Sequence, residues 1–411
     1  MNYFIKNIHV NKLFHLNDFD IPIADKKYPH LIITGKNGSG KTVLLNAISD
    51  FLNFIRDKKD LSFLSYSDNL LYWENKLKQD TNQNDKMQSK AHIERLKKRI
   101  EKLYGNLDLS LIDLGNVIEK YNSGNFIISF YQADRKVKMS EPKNPTKPVY
   151  NKKGDIKETV TSQFLNFLSD LKIQEALARN EGQTKDANEI KNWFNDFEDL
   201  LRQIYKDKEL QLEFNYRDYG FKISTEGKKF KFTEVSDGFA AVLDIVADLI
   251  LKMQEEKSLT RSYQKEGIVL IDEIETHLHL GLQKVIMPLL TKVFPNIQFI
   301  ITTHSPFVLS SMPNAVAYDL EHKEILDDLT EYSYEALAEG YFGVKTQSSY
   351  AEMQLARFKE LLAKKALSDA DKVELKQLKS DFEKIKEVVS PLIVGEFRQV
   401  FIKNVEKLNS L

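Results

Sequence analysis

The stretch ITGKNGSGKT, residues 33–42, restricts this chain more than any other. Gly35, Gly40, Lys41 and Thr42 match the spacing G-x-x-x-x-G-K-[ST]. The apolar run LIITG stands directly before it, and TVLLNAISDFLNFI, with a helical apolar period, directly after it. A strand that turns through glycines into a helix gathers backbone N–H groups and a helix N-terminus around one point, which makes a site for phosphate. Gly35, Asn37, Gly38, Ser39, Gly40, Lys41, Thr42 and Val43 are therefore expected to wrap a nucleoside triphosphate. Lys41 would reach the β and γ oxygens, and Thr42 would hold Mg²⁺ through its hydroxyl. The fold this requires is α/β, with a mostly parallel central sheet delivering its polar residues to one edge.

Two further apolar runs fit that sheet. GIVLIDE, residues 267–273, has the form of a fully buried parallel strand ending in two carboxylates. Asp272 would complete the Mg²⁺ shell and Glu273 would orient or deprotonate an attacking water. Paired carboxylates at a strand end also serve as ordinary loop solvation, a reading that weakens beside a phosphate loop. IQFIITTHSPFVL places His304 after a third strand, in reach of a γ-phosphate, although a lone histidine there is commonly structural. FIISFYQADRK, residues 126–136, is a fourth strand; Gln132 after it is a candidate Mg²⁺ or water contact and Arg135 a candidate phosphate or dimer contact.

Composition excludes several classes. The 411 residues are 42% hydrophobic, enough for a large core, and the net charge of -1 gives no global attraction to nucleic acid or membrane. There is no cysteine, so disulfides, thiolate catalysis and Cys-ligated zinc are out, and a reducing cytoplasm is the expected location. The first residues lack the apolar h-region of a signal peptide, and AAVLDIVADLILKM carries Asp244 and Asp248, which suits a buried helix rather than a membrane span.

With these residues in view, the chain resembles the ABC-type ATPase family. TEVSDGF, residues 233–239, looks like that family's signature motif, and the order of phosphate loop, signature, carboxylate strand and histidine is the family's order. The resemblance implies that Ser236 and Gly238, at a helix N-terminus, close on the γ-phosphate of ATP held by a second copy. Asp237 stands where many members have glycine. As plain chemistry, SDG also reads as a helix N-cap and turn. DEIETHLHLGLQKVI, with Glu275, His277 and His279, resembles the DEPExHLHP form of RecF-like and SMC-like proteins and of ATPases in bacterial anti-phage systems of the Septu, retron-associated and overcoming-lysogenization-defect groups. His277 and His279 have no evident third metal ligand, and the resemblance implies a structural role for them.

The implied organisation is a discontinuous nucleotide-binding domain at 1–55, 125–140 and 230–345, a helical insertion at 56–124, and a loop with a helical, signature-bearing lobe at 141–229. A C-terminal helical hairpin is expected at 346–411, with Ser368 and Asp371 as an N-cap pair at its break. In the insertion, Ile93, Leu96, Ile100 and Leu103 form an apolar stripe flanked by Arg95, Lys97, Lys98, Arg99 and Lys102, which reads as a solvated face or as a surface for nucleic-acid phosphates. Residues 141–160 read as an exposed loop. SQFLNFLSDLKIQEALARN and ANEIKNWFNDFEDLLRQIY read as amphipathic helices, and LQLEFNYRDYGFKIS with KKFKF as a strand pair.

The function so implied is a regulatory ATPase using ATP and Mg²⁺. It would dimerise around the nucleotide and control a separately encoded effector, a nuclease, in anti-phage defence. Glu273, His304 and Lys41 would be catalytic, and Thr42, Asp272 and Gln132 metal-binding. The tail is short and lacks the acidic or histidine clusters of a nuclease, so the effector is expected on another chain. The alternative is a RecF-like DNA-binding ATPase of repair or recombination.

Overall fold

Apolar segments without polar alternation dictate the centre of the fold, since a strand covered on both faces has no solvent side to mark. The computed structural model describes residues 4–23, 29–57, 65–135, 139–142, 155–254, 264–326, 329–343, 348–364, 366–385 and 390–409. Most of the loop expected at 141–160 lies outside them. The chain forms two units, Met1–Tyr332 and Ser333–Leu411.

The first unit begins with β1 (Ile5–Leu13), β2 (Leu16–Pro22), β3 (His30–Thr34) and α1 (Lys41–Asp57). Then follow α2 (Tyr66–Gln79), α3 (Gln83–Tyr104), β4 (Leu107–Leu111), α4 (Leu114–Asn122) and β5 (Phe126–Tyr131). The helices α5 (Phe164–Asn180) and α6 (Thr184–Tyr205) precede β6 (Gln211–Asn215), β7 (Gly220–Thr225) and β8 (Lys228–Lys231). The long α7 (Asp237–Met253) leads to β9 (Glu266–Ile271), α8 (Leu280–Gln283), α9 (Ile286–Val293) and β10 (Ile297–Thr302). Finally come α10 (Pro306–Leu309), β11 (Ala315–Asp319) and β12 (Glu324–Leu326).

The central sheet has the order β12-β11-β3-β10-β9-β5. All pairings are parallel except that of β12, an antiparallel edge. Every residue of β3, β5 and β10 is buried. Because the strands run parallel, the loops after Thr34, Tyr131, Ile271 and Thr302 emerge along one edge. A second sheet, β2-β1-β4, is stitched to the first by the buried Gln298 of β10. Its Oε1 accepts the amides of Phe4 and Ile5 at 2.8 Å each, and its Nε2 donates to the Ile5 carbonyl at 3.0 Å.

Several expectations gain detail. The segment 56–124 holds a strand, β4, beside its helices; LDLSL forms it only by pairing with the distant β1. The stripe of α3 buries Ile93, Leu96 and Leu103, while Lys97 pairs with Glu74 of α2 at 3.2 Å and Arg99 lies over the Tyr66 ring. The expected strand pair is three strands, because Asn215 and Asp218 cap a turn that splits the first stretch into β6 and β7. In the second unit, α11 (Tyr334–Gly340) is followed by α12 (Ser349–Ala363), α13 (Asp369–Lys384), α14 (Pro391–Lys403) and α15 (Val405–Asn409). Ser368 and Asp371 cap α13 reciprocally, and Arg357 bridges Glu374 through two parallel bonds of 2.8 and 2.9 Å. The hairpin of α12 and α13 takes α14 as a third member, since Phe358, Phe382 and Phe397 share one core. Among the described residues, no helix is long and apolar enough to cross a membrane.

Helix α7 is buried almost throughout, Asp244 and Asp248 included. Asp248 is satisfied: it accepts from Tyr131 Oη and the Val160 amide, both at 2.7 Å, and pairs with Lys252 Nζ at 2.8 Å. Asp244 Oδ1 has no hydrogen-bond partner, and burial pushes its pKa up to about 6. Above that value the folded state carries an ionisation penalty which is relieved as pH falls toward the unfolded carboxyl's value. Asp244→Asn is expected to stabilise the fold by about 2 kcal/mol at pH 8 and by roughly half as much at pH 5, read by urea denaturation. In β9, a Cβ on Gly267 would lie 2.4 Å from the Ile127 carbonyl oxygen of β5. Gly267→Ala is expected to cost about 2 kcal/mol or more by the same measurement.

Candidate functional site

The loop between β3 and α1 supplies the cradle. Gly35, Gly38 and Gly40 have φ of +134°, +85° and +100°, conformations that L-side chains rarely adopt and that let the loop turn sharply between β3 and α1. The Lys41 ammonium is buried and donates to the carbonyls of Gly35 at 2.9 Å and Lys36 at 3.1 Å. Burial pulls its pKa down, against the opposing pull of Glu273, Glu275 and Asp272.

Asp272 anchors the edge from below. It is 2% exposed; its Oδ2 accepts the Thr42 hydroxyl at 2.9 Å and its Oδ1 the Thr302 hydroxyl at 2.6 Å. The same Thr302 oxygen accepts the Glu273 amide at 2.8 Å. Glu273 has a φ of +42° and a half-exposed side chain whose Oε1 lies 4.0 Å from His304 Nε2. His304 Nε2 is buried without a hydrogen-bond partner. Burial first, and Lys41 second, lower the imidazole's pKa, which favours the neutral ring, against the opposing pull of Glu273 and Asp272. Glu275 holds His304 in place: its Oε1 accepts the His304 amide at 2.5 Å and its Oε2 the Thr303 hydroxyl at 2.8 Å.

Asn37, Gly38, Gly40, Lys41, Thr42, Val43, Glu273 and His304 line one cavity of about 260 Å³. Gly35 and Ser39 complete the loop, with the Ser39 hydroxyl buried and unpartnered. Gln132 is exposed and stands outside this lining. Arg135 does not line it either; its guanidinium donates to the carbonyls of Asp272, Glu273 and Ile274. Ser236 occupies the N-cap of α7, but its hydroxyl makes no capping bond, and Asp237 lines a separate cavity of about 590 Å³ with Arg135 and His277. Gly238 is fixed by packing, as a Cβ there would approach the His277 carbonyl to 2.8 Å. His279 caps α8 and packs edge-on against Phe239 of α7.

Three contributors escaped the motifs. Phe14 and His15, at the β1–β2 turn, also line the 260 Å³ cavity. Phe14 is 80% exposed, and His15 Nε2 lies 3.1 Å from the Ser39 carbonyl, holding the turn over the loop. Nothing marks two residues of a distant hairpin in the sequence. Thr302 had a signal, since ITTH sets two hydroxyls before the histidine.

These donors fit a nucleoside triphosphate with Mg²⁺. The glycine loop offers amides, Lys41 an ammonium now held by exchangeable carbonyls, Thr42 and Asp272 adjacent hard oxygens, and Phe14 an exposed ring at the rim. The glycine loop after β3 and the parallel sheet that carries it are those of a P-loop α/β domain. Residues 31–310 match the family described as "AAA domain, putative AbiEii toxin, Type IV TA system", and the chain belongs to that family. It is similar to "Septu protein PtuA" of Bacillus mycoides (strain KBAB4), 25% identical over 412 residues, which are 96% of this chain and 52% of the relative. It is also similar to "Retron Vc95 probable ATPase" of Vibrio cholerae serotype O1 biovar El Tor, 30% identical over 167 residues, 39% of this chain and 31% of the relative. The chain thus spans about half the length, or less, of these curated relatives. Among solved structures, the SMC head domain from Thermotoga maritima aligns with a TM-score of 0.35 and 12% identity, covering 77% of this chain and 94% of that one.

Asp272→Asn removes a charge that Thr42 and Thr302 both address. ATP affinity in Mg²⁺ is expected to fall about tenfold or more, with the difference between Mg²⁺ and EDTA largely abolished in a fluorescent-nucleotide titration.

Proposed function

We propose that this chain is the ATP-binding, ATP-hydrolysing regulatory subunit of an anti-phage defence system, in which two copies close around ATP and thereby control a separately encoded effector, a nuclease. The observation that carries the reading is the convergence of Lys41, Thr42, Glu273 and His304 from three strand ends on one cavity, with the buried Asp272 bonded to Thr42. Mg²⁺, held by Thr42 and Asp272, would neutralise phosphate charge when bound. Lys41 exchanges its two loop carbonyls for phosphate oxygens. The Glu273 carboxylate orients the attacking water and takes its proton, and the neutral His304 ring offers Nε2 to a γ-oxygen. Ser236 and Gly238 stand at the start of α7, outside this cavity, which supports their use in trans by a second copy. The carboxylate of Asp237 beside them weakens closure on an anion, in keeping with slow turnover. The anti-phage setting is supported by the matches to a Septu protein and a retron ATPase and by the DEIETHLHL form.

Glu273→Gln is expected to lower hydrolysis about 100-fold or more while leaving ATP binding intact. Light scattering should then show an ATP-dependent dimer, and purification from the native cells should retain a stoichiometric second protein. A monomer that carries only DNA would overturn the regulatory reading in favour of a DNA clamp.

A further inference from the structure

One half-buried cation takes no part in the site as described. Arg135 enters from the end of β5, and its Nη1 donates to the Asp272 carbonyl at 3.0 Å and to the Gln132 carbonyl at 3.3 Å. Its Nη2 reaches the carbonyls of Glu273 at 3.5 Å and Ile274 at 3.4 Å. Three successive carbonyls of one loop thus face one planar donor, whose two terminal nitrogens divide them in a fixed fork that a single ammonium nitrogen does not reproduce. The loop needs such a constraint. At a φ of +42°, Glu273 holds a left-handed conformation that costs a non-glycine residue stability unless its surroundings fix it. On the amide side the fixing group is the Thr302 hydroxyl. On the carbonyl side it is Arg135.

We infer that Arg135 is a positioning residue: by binding the carbonyls of 272–274 it sets the main-chain turn that aims the Glu273 carboxylate into the phosphate cavity. It makes no contact with the reacting atoms. Because it lines the 590 Å³ cavity beside Asp237, Ala240 and Ala241, the same side chain also forms a wall at the start of α7. The kinetic consequence rests on the ATPase reading above; the structural one does not.

The test compares wild type, Arg135→Ala and Arg135→Lys, with two readouts. In steady-state hydrolysis, kcat of Arg135→Ala is expected to fall about 100-fold while KM for ATP stays within about threefold, as for a displaced group that binds no substrate. Added guanidinium chloride, at tens of millimolar, should restore part of kcat to Arg135→Ala, and Arg135→Lys should stay impaired. In hydrogen exchange without nucleotide, the amides of Ile274, Thr276 and Leu278, bonded within the loop and to Thr302, should exchange at least about tenfold faster in Arg135→Ala. Those of α1 should keep their wild-type protection. Unchanged kcat together with unchanged exchange in 274–278 overturns the inference. If wild type does not hydrolyse ATP, the ATPase reading fails and the exchange result alone decides: faster loop exchange upholds the positioning role and unchanged exchange refutes it. Should Arg135→Ala not fold, Arg135→Lys carries both readouts.

Discussion

The arrangement depends on one buried carboxylate shared by two hydroxyls. Asp272 is nearly inaccessible to water, and an isolated charge there would be costly. Thr42 at the start of α1 and Thr302 at the end of β10 satisfy one oxygen each. That pair of bonds connects the phosphate loop, the β9 end and the β10 end, three segments far apart in the chain. Thr302 then passes the constraint on by accepting the Glu273 amide, and Glu275 binds back to the backbone of His304. The Asp272 carboxylate, the Glu273 amide and the His304 amide are thus each held by a neighbour that makes a further bond of its own, a linkage through which a buried polar network gains in rigidity.

The sequence made the central strands legible because they are covered on both faces and so appear as unbroken apolar runs. It made the phosphate loop legible because its glycines answer a conformational need rather than a packing one. The short strands were a different matter. β4 has five residues and β12 three, and each becomes a strand only through a partner distant in sequence or through a tight return. No local pattern encodes that. α14 is likewise apolar enough to be a helix, but its membership of the C-terminal core depends on Phe397 meeting Phe358 and Phe382.

At the site, where a residue lies could be read from its type and place in the chain, and where its side chain turns could not. Lys41 and Thr42 line the cavity at the loop's end, where their places after the glycines put them. Arg135 and Gln132 follow a strand that ends at the right edge, yet one turns toward the neighbouring loop and the other toward solvent. Ser236 shows the converse: it occupies the capping position that its type predicts, and its hydroxyl leaves the cap unmade. His279, which invites a metal, caps α8 instead.

The bonds of Lys41 have a consequence for the loop itself. With its ammonium on the carbonyls of Gly35 and Lys36, the lysine ties the first residue of α1 back to the start of the loop. The side chain is thus a brace as well as a charge. Removing it frees two carbonyls together with the ammonium, so any loss that follows a substitution there combines a slackened loop with a missing cation.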